Sequence, residues 1–379
     1  MKDVKTIYLD HAATTKPYDE VVSLYTKIET EHYGNSSSIH GLGIDSLSYL
    51  NKARELILKS FNLLKGYKVI FTSGATESNN LAIIGYCLKH QNRGKHIITS
   101  NVEHPSVKEC FKYLETLGFK VTYLKVNQNG QVEPELLEKS MTNDTILVSL
   151  MSTNNEIGSM NDVGELAKVV HRYPKAVFHC DTTQSIGKDK LDYSCFDMFV
   201  VSGHKVHGLK GSGCLVLKDN IDLEPRAHGG GQEEGLRGGT VSVALACSLA
   251  KAVSIAQSKI SAEIRRIAKI HQQFLDKLKN IKGLEFNSNS CGSPYILNFS
   301  LTDKKASVVV EALSNAGIYV SSVSACNSKR EPASYVVAAL GKSETLSHNT
   351  VRLSFGEDNT EEDAEVFARE FNRIMESIR

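Results

Sequence analysis

Between about positions 69 and 218 short apolar runs alternate with helix-like stretches, and this rhythm constrains the fold more than any other feature of the chain. The runs VIFT (69–72), HIIT (96–99), VTYLKV (121–126), ILVSLM (146–151), VFHCD (177–181), MFVV (198–201) and CLVL (214–217) read as strands. Being almost continuously apolar, they suit a sheet covered on both faces. The rhythm therefore predicts an α/β fold with a mostly parallel central sheet and helices on each side. A chain of 379 residues also exceeds what one core usually holds, so a large and a small domain are expected. After the Gly-rich stretch 229–239, the segment from Val241 to about Leu278 has no Pro or Gly and carries apolar residues at helical spacing. It predicts a long helix leaving the first domain. The remainder, with strand-like YILNFS (295–300) and VRLSF (351–355) and helices near 305–316 and 360–377, predicts a small α+β domain.

The 44 basic and 43 acidic side chains nearly cancel, and no Lys/Arg run stands out. Nothing in that balance points to nucleic acid or an anionic membrane as an obligate surface. The start MKDVKTIYLDHAATT has no continuous apolar stretch of a signal peptide, and no later apolar run approaches the ~20 residues a bilayer span needs, so a cytoplasmic protein is expected. Eight cysteines are scattered without a C-x-x-C pair, which argues against a disulfide framework, a zinc ribbon or a ligated cluster.

In an open α/β sheet ligands bind beyond the carboxyl ends of the strands, so the polar residues that follow each apolar run carry the chemistry. Four places qualify. After strand 69–72 comes Ser73-Gly74-Ala75-Thr76 and a helical pattern, whose free N–H groups and Thr76 hydroxyl can cradle a phosphate, although Ser/Thr there also serves as a plain N-cap. Asp181 closes the strand VFHCD and can hold a cationic ring nitrogen, or merely cap the next helix. Ser202, His204 and Lys205 follow strand 198–201 and precede a small-residue loop. A lysine in such a turn is a Schiff-base candidate, because burial beside a cation or apolar wall frees its amine. His204 with His207 could be half a metal site, but no third ligand has suitable spacing, and no metal is expected. The fourth place, GGGQEEGLRGGT (229–240), is a loop that approaches something closely, without the spacing of a nucleotide P-loop. Far downstream, SSVSACNSK sets Cys326 among Ser and Ala, a polar setting unlike that of the other seven cysteines and suited to a reactive thiol.

In order and spacing these segments resemble the cysteine desulfurases, the NifS/IscS-like group of the fold-type I (aspartate aminotransferase-like) pyridoxal phosphate (PLP) enzymes in the class V aminotransferase family. The resemblance runs nearly end to end, through YLDHAATT (8–15), YGNSSSIH (33–40), FTSGATESNN (71–80), DTTQSIGK (181–188), SGHKVHGLKGSG (202–213), GGGQEEGLRGGT (229–240), SSVSACNS (321–328) and VRLSFG (351–356). It implies a large PLP-binding domain over 15–255 and a small domain joining 1–14 to 256–379, which carries the cysteine loop. It implies that Ala75, Thr76, Ser202 and His204 hold the cofactor phosphate, with Thr240 reaching in from a second subunit of a homodimer. His104 would stack on the pyridine, Asp181 pair with its nitrogen, Gln184 bond the ring oxygen and Lys205 link covalently to the cofactor. Asn35, Asn155 and Arg352 match the positions that hold the amino-acid substrate, Arg352 by a bidentate grip on its carboxylate. The chain departs from the family's usual residues at His11, Ser36, His207, Leu209 and Val241-Ser242, which bears on the shape of the pocket and the cross-subunit contacts.

The implied reaction converts L-cysteine to L-alanine and leaves a persulfide on Cys326. The residues assigned to its chemistry are Cys326, Lys205 and His104. The long cysteine loop favours passing sulfur to an acceptor protein for iron–sulfur assembly or thio-modification. The alternatives are a selenocysteine lyase or another PLP enzyme of the same fold, a nucleotide-binding module, and a non-catalytic scaffold.

Overall fold

The computed structural model describes residues 6–322 and 333–378. A short strand β1 (Ile7–Tyr8) precedes β2 (Tyr67–Thr72), β3 (His96–Ser100), β4 (Lys120–Leu124), β5 (Thr145–Met151), β6 (Val177–Asp181), β7 (Met198–Ser202) and β8 (Gly213–Lys218). The last seven are the apolar runs read above, and they form one sheet in the order β2-β8-β7-β6-β5-β3-β4. Strands β3 to β7 are mutually parallel, while β8 runs antiparallel to both of its neighbours.

The sheet is covered on both faces, which is why its strands lack polar alternation. Every residue of β3, β5 and β7 is buried. Successive side chains point to opposite sides, so Ile97, Leu147 and Leu215 pack with Leu81 and Phe111 of the helices Ala75–His90 and Pro105–Thr116. Their neighbours Ile98, Val148 and Val216 pack on the other face with Val21, Ile57 and Leu249.

A second sheet is built from β9 (Leu284–Phe286), β10 (Ile296–Leu301), β12 (Ser321–Ser322) and β13 (Thr350–Ser354), all antiparallel, in the order β12-β13-β10-β9. Between them in sequence, β11 (Ile318–Tyr319) pairs in parallel with β1 and so ties the start of the chain to this region. Helices Ala306–Asn315 and Glu361–Ser377 cover the sheet through Val309, Phe367 and Phe371. The expected long helix runs Val243–Leu278 and serves both cores, giving Leu249 and Val253 to the first and Ile267, Ile270 and Phe274 to the second.

That helix corrects one expectation. An 18-residue window within it reaches a mean hydropathy of 1.3, enough by length and composition for a bilayer span. Its apolar face is occupied inside the protein, where it packs against the helices Asp19–Glu31 and Gly41–Ser60.

Two glycines bring the edge of the large sheet close to the start of a helix. A Cβ on Gly213 would lie 2.5 Å from the Cα of Gly74, and Gly74 itself has φ 151°. Only glycine tolerates that approach, and the helix Ala75–His90 consequently begins flush with the strand ends. The Gly-rich loop does approach something closely: Glu233 Oε2 accepts from the Phe71 N–H of edge strand β2 at 2.7 Å. Arg54 holds the other oxygen at 2.6 Å, and Glu233 and Glu234 both take left-handed φ values of 48° and 58° to reach there.

Candidate active site

At the carboxyl ends of the parallel strands lies a cavity of about 920 Å³. Ten of the residues singled out in the sequence line it together: Ala75, Thr76, His104, Asn155, Asp181, Gln184, Ser202, His204, Lys205 and Arg352. They come from segments far apart in sequence: all but Arg352 stand at or after a strand end of the large sheet or in the helix it leads into, and Arg352 comes from β13 of the small sheet.

Asp181, the last residue of β6, is buried, and both its oxygens are held. Oδ1 accepts from Thr183 N at 3.0 Å and Oδ2 from Asn79 Nδ2 at 2.9 Å. The first bond is the helix-cap type of contact weighed above, yet the carboxylate still faces the cavity. The Asn79 amide also donates to Ser106 Oγ at 2.9 Å, and that hydroxyl meets His104 Nδ1 at 2.8 Å. His104 caps the helix Pro105–Thr116, its Nδ1 accepting from Ser106 N. A backbone N–H can only donate, so Nδ1 is the acceptor nitrogen and the ring's remaining N–H is Nε2. Burial lowers the pKa of His104, partly opposed by Asp181, and keeps the ring neutral at neutral pH.

Lys205 sits in a short 3₁₀ turn directly after β7. Its Nζ donates to the carbonyls of Ala12 and Ala13 at 2.6 and 2.7 Å. Burial above all, then the charges of Lys188 and Arg352, lower its pKa to about 7, against the opposing pull of Asp10 and Asp181. Its amine is therefore far more available at neutral pH than that of an ordinary lysine. The neighbouring His204 is lowered to about 4, first by burial and then by Lys205, and its Nδ1 lies 3.2 Å from Thr14 Oγ1.

Arg352, on β13, reaches in from the small sheet. Its guanidinium donates through one terminal nitrogen to Asn155 O at 2.9 Å and through the other to Asp10 Oδ1 at 2.8 Å. Among the described residues its Nε and the Asn155 Oδ1 are buried without a hydrogen-bond partner. Each terminal nitrogen keeps a second N–H, so the fork still has an edge for a carboxylate.

The donor set fits an anionic pyridine aldehyde such as PLP. The N–H groups opening the helix Ala75–His90 lack partners within the helix and suit the phosphate, Asp181 suits a protonated ring nitrogen, and the Lys205 amine suits the aldehyde. The buried Thr183 hydroxyl, without a partner among the described residues, offers one further polar contact in the same cavity.

Asn35 and Thr240 do not join this cavity. Both line a separate pocket of about 310 Å³, and Asn35 Oδ1 is turned back to Ser37 N at 2.9 Å. Thr240 also borders a pocket of about 190 Å³ with Ser73 and Arg237. Cys326 lies outside the described residues; Ser322 and Ala333, the described residues on either side of it, both line the main cavity. Among the described residues no cluster of His, Cys, Asp or Glu could hold a metal ion.

Sequence reasoning missed Asp10, the Ala12 and Ala13 carbonyls, Asn79 and Ser106. Asp10 and the alanines stand in YLDHAATT and Asn79 in FTSGATESNN, yet nothing local shows that these segments face Arg352, Lys205 or Asp181. Of the departures, His11 packs flat on Gly356, where a Cβ would come within 2.3 Å of the ring, and His207 (φ 59°) stacks on Tyr18 at 4.5 Å.

An α/β protein with an activated lysine, a buried carboxylate and an arginine fork at its cavity has the make-up of a fold-type I PLP enzyme. The family model described as aminotransferase class-V matches residues 7–367. The chain belongs to this family, in its NifS/IscS-like branch. A protein of Dictyoglomus turgidum named cysteine desulfurase IscS is 37% identical over 379 residues, covering 99% of this chain and 96% of that protein. Among solved structures, one named NifS-like protein superposes with a TM-score of 0.90 at 33% identity, covering 98% of this chain and 99% of the other. Another, described as SspA in complex with cysteine, gives a TM-score of 0.79 at 31% identity, covering 92% and 99%.

Proposed function

We propose that this chain is a PLP-dependent cysteine desulfurase, which converts L-cysteine to L-alanine and receives the sulfur on Cys326. The observation that carries the reading is the placement of the Lys205 amine, lowered to about 7, in one cavity with Asp181 and the Arg352 fork. Bound PLP supplies an electron sink for the charge that develops at the substrate's α-carbon. Asp181 holds the ring nitrogen protonated, while Ala75, Thr76, Ser202 and His204 hold the phosphate. Arg352 and Asn155 would hold the substrate carboxylate and so orient the α-carbon. With PLP bound, Lys205 would carry the proton from the α-carbon, and His104 would be the nearby acid or base for the leaving sulfur. The Cys326 thiolate attacks that sulfur, so the substrate's C–S bond breaks, an S–S bond forms, and the carbon left behind gains a proton.

Two copies complete the arrangement. Asn35 and Thr240, sharing a pocket away from the chain's own cavity, are read as groups offered to a partner copy's site. A closed two-fold dimer is the simplest assembly that uses both. The division into 15–255 and 1–14 with 256–379 sets the cavity at the seam between the two cores, a position suited to closure over substrate. The persulfide passes to an acceptor protein, an iron–sulfur scaffold or a thiolation enzyme, without direct contact with nucleic acid or a membrane. The seven described cysteines are all free thiols, which supports a reducing, cytoplasmic setting.

Brief exposure to cysteine without reductant tests this. Mass spectrometry of the digest is expected to find one extra sulfur on the Cys326 peptide, and Cys326→Ser is expected to keep the cofactor spectrum while losing sulfur release by ~10³-fold or more. Sulfur on another cysteine, or wild-type alanine formation by the serine variant, overturns the reading and favours another PLP enzyme of this fold.

A further inference from the structure

Lys188 stands one layer behind the cavity wall, buried at 8% exposure and four residues after Gln184. Its Nζ donates to Gln184 Oε1 at 3.3 Å. The other end of that side chain donates through Nε2 to Ala12 O at 3.0 Å, and the same carbonyl accepts from Lys205 Nζ at 2.6 Å. An ammonium can only donate and a backbone carbonyl can only accept. The two ends of Gln184 are therefore distinguished by their partners: the oxygen faces Lys188, and the NH₂ faces Ala12. One hydrogen of that NH₂ goes to Ala12, and the second remains for an acceptor in the cavity that Gln184 lines.

We propose that Lys188 is a positioning residue, which orients Gln184 so that an N–H meets the ring oxygen of bound PLP and whose charge keeps the Lys205 amine ready to lose its proton. The inference rests on the reading that PLP occupies the cavity.

Lys188 carries its charge against burial and the neighbouring Arg352, with the charge of Asp189 favouring the ammonium. Its sequence neighbour Asp189 spends its carboxylate oxygens on the Thr153 and Ser293 hydroxyls at 2.8 and 3.3 Å. Arg352 faces Lys188 as a second cation, and His11, His204 and His207 all feel its charge. Lys205 is flanked by Lys188 and Arg352 on one side of the balance and by Asp10 and Asp181 on the other, with His104 and His204 close by. Burial lowers Lys188 to about 8 and Lys205 to about 7.

Two variants separate the effects: Lys188→Gln keeps a donor for Gln184 and removes the charge, whereas Lys188→Met removes both. In cofactor-free protein, the pH midpoint for acylation of Lys205, read by mass spectrometry of its peptide, is expected to rise by about one unit in both. Lys188→Arg is expected to restore it. PLP affinity, measured by absorbance titration, is expected to fall about tenfold in the methionine variant and less in the glutamine variant. An unchanged midpoint in both variants, with unchanged PLP affinity in the methionine variant, overturns the proposal and leaves Lys188 a packing residue. If the methionine variant does not fold, the glutamine variant alone decides through the midpoint. Failure of the wild type to take up PLP sinks the reading of the cavity, while the labelling midpoint still decides the charge effect of Lys188.

Discussion

The two ends of the cavity are built on different plans. At the cofactor end the reactive groups are already held: Asp181 by Thr183 and Asn79, His104 by Ser106, Lys205 by two carbonyls and Gln184 at both ends. Among the described residues the Thr183 hydroxyl and the Asn79 carbonyl oxygen are buried without partners there. At the substrate end the binding group is half engaged, with Arg352 fixed by Asp10 and Asn155 O while its Nε and the Asn155 amide oxygen wait. A buried polar atom left unpaired costs ~1–3 kcal/mol, so such atoms persist where a ligand supplies the partner. The comparison teaches that the cofactor end is preorganised by the fold, whereas the substrate end is completed by what binds.

The largest effect is expected at the preorganised end. Lys205→Ala should abolish the visible absorbance of covalently held cofactor and lower cysteine turnover by at least ~10³-fold, checked by spectrum and alanine assay. A borohydride-stable cofactor adduct on a different lysine would break the assignment. An intermediate effect belongs to the substrate end: Arg352→Lys should leave the cofactor spectrum intact and lower kcat/KM by ~10²-fold, mainly through KM, because an ammonium cannot replace the fork. A lost spectrum in that variant would mean that the two ends are not separable.

The smallest effect sharpens the comparison from outside both ends. Buried His11 is lowered to about 3 by burial, helped by His207, whereas the unfolded chain titrates it near 6.5. Between those values the unfolded state binds the extra proton, so His11 removes stability as pH falls below about 6.5. At pH 5 this amounts to about 2 kcal/mol. His11→Asn should therefore narrow the gap in Tm between pH 7.5 and pH 5, measured by thermal unfolding with the wild type alongside. His179 and His204, both lowered to about 4, keep part of that gap in the variant. An unchanged gap would show that His11 is not neutral in the folded state.

Much of this was legible beforehand where the physics is local. Strands buried on both faces must be continuously apolar, and all seven runs of the large sheet became its strands. The same logic placed Asp181 and Lys205 at strand ends facing a common cavity. Contacts between distant segments were not legible. Nothing local in YLDHAATT shows that Asp10 will grip Arg352 or that two alanine carbonyls will hold Lys205. Nor does the polarity of Asn35 show that it will sit away from the chain's own cavity. The small strands β1, β9 and β12 escaped notice because two or three residues carry no periodicity.

The strip from Asp10 to Thr15 has a consequence for how the molecule comes together. It forms the floor beneath Lys205, and its holds are divided: Thr15 N donates to His204 O at 2.8 Å, whereas β1 pairs with Ile318–Tyr319, Ala12 N donates to Ser354 Oγ, and Asp10 binds Arg352. The large sheet is complete by Lys218 and can form while the carboxyl third is still being synthesised. The pairings with β11 and β13 thus wait for a loop closure of more than 300 residues. Until that closure Arg352 lacks its carboxylate anchor, so the cofactor end of the site has its frame before the substrate end is complete.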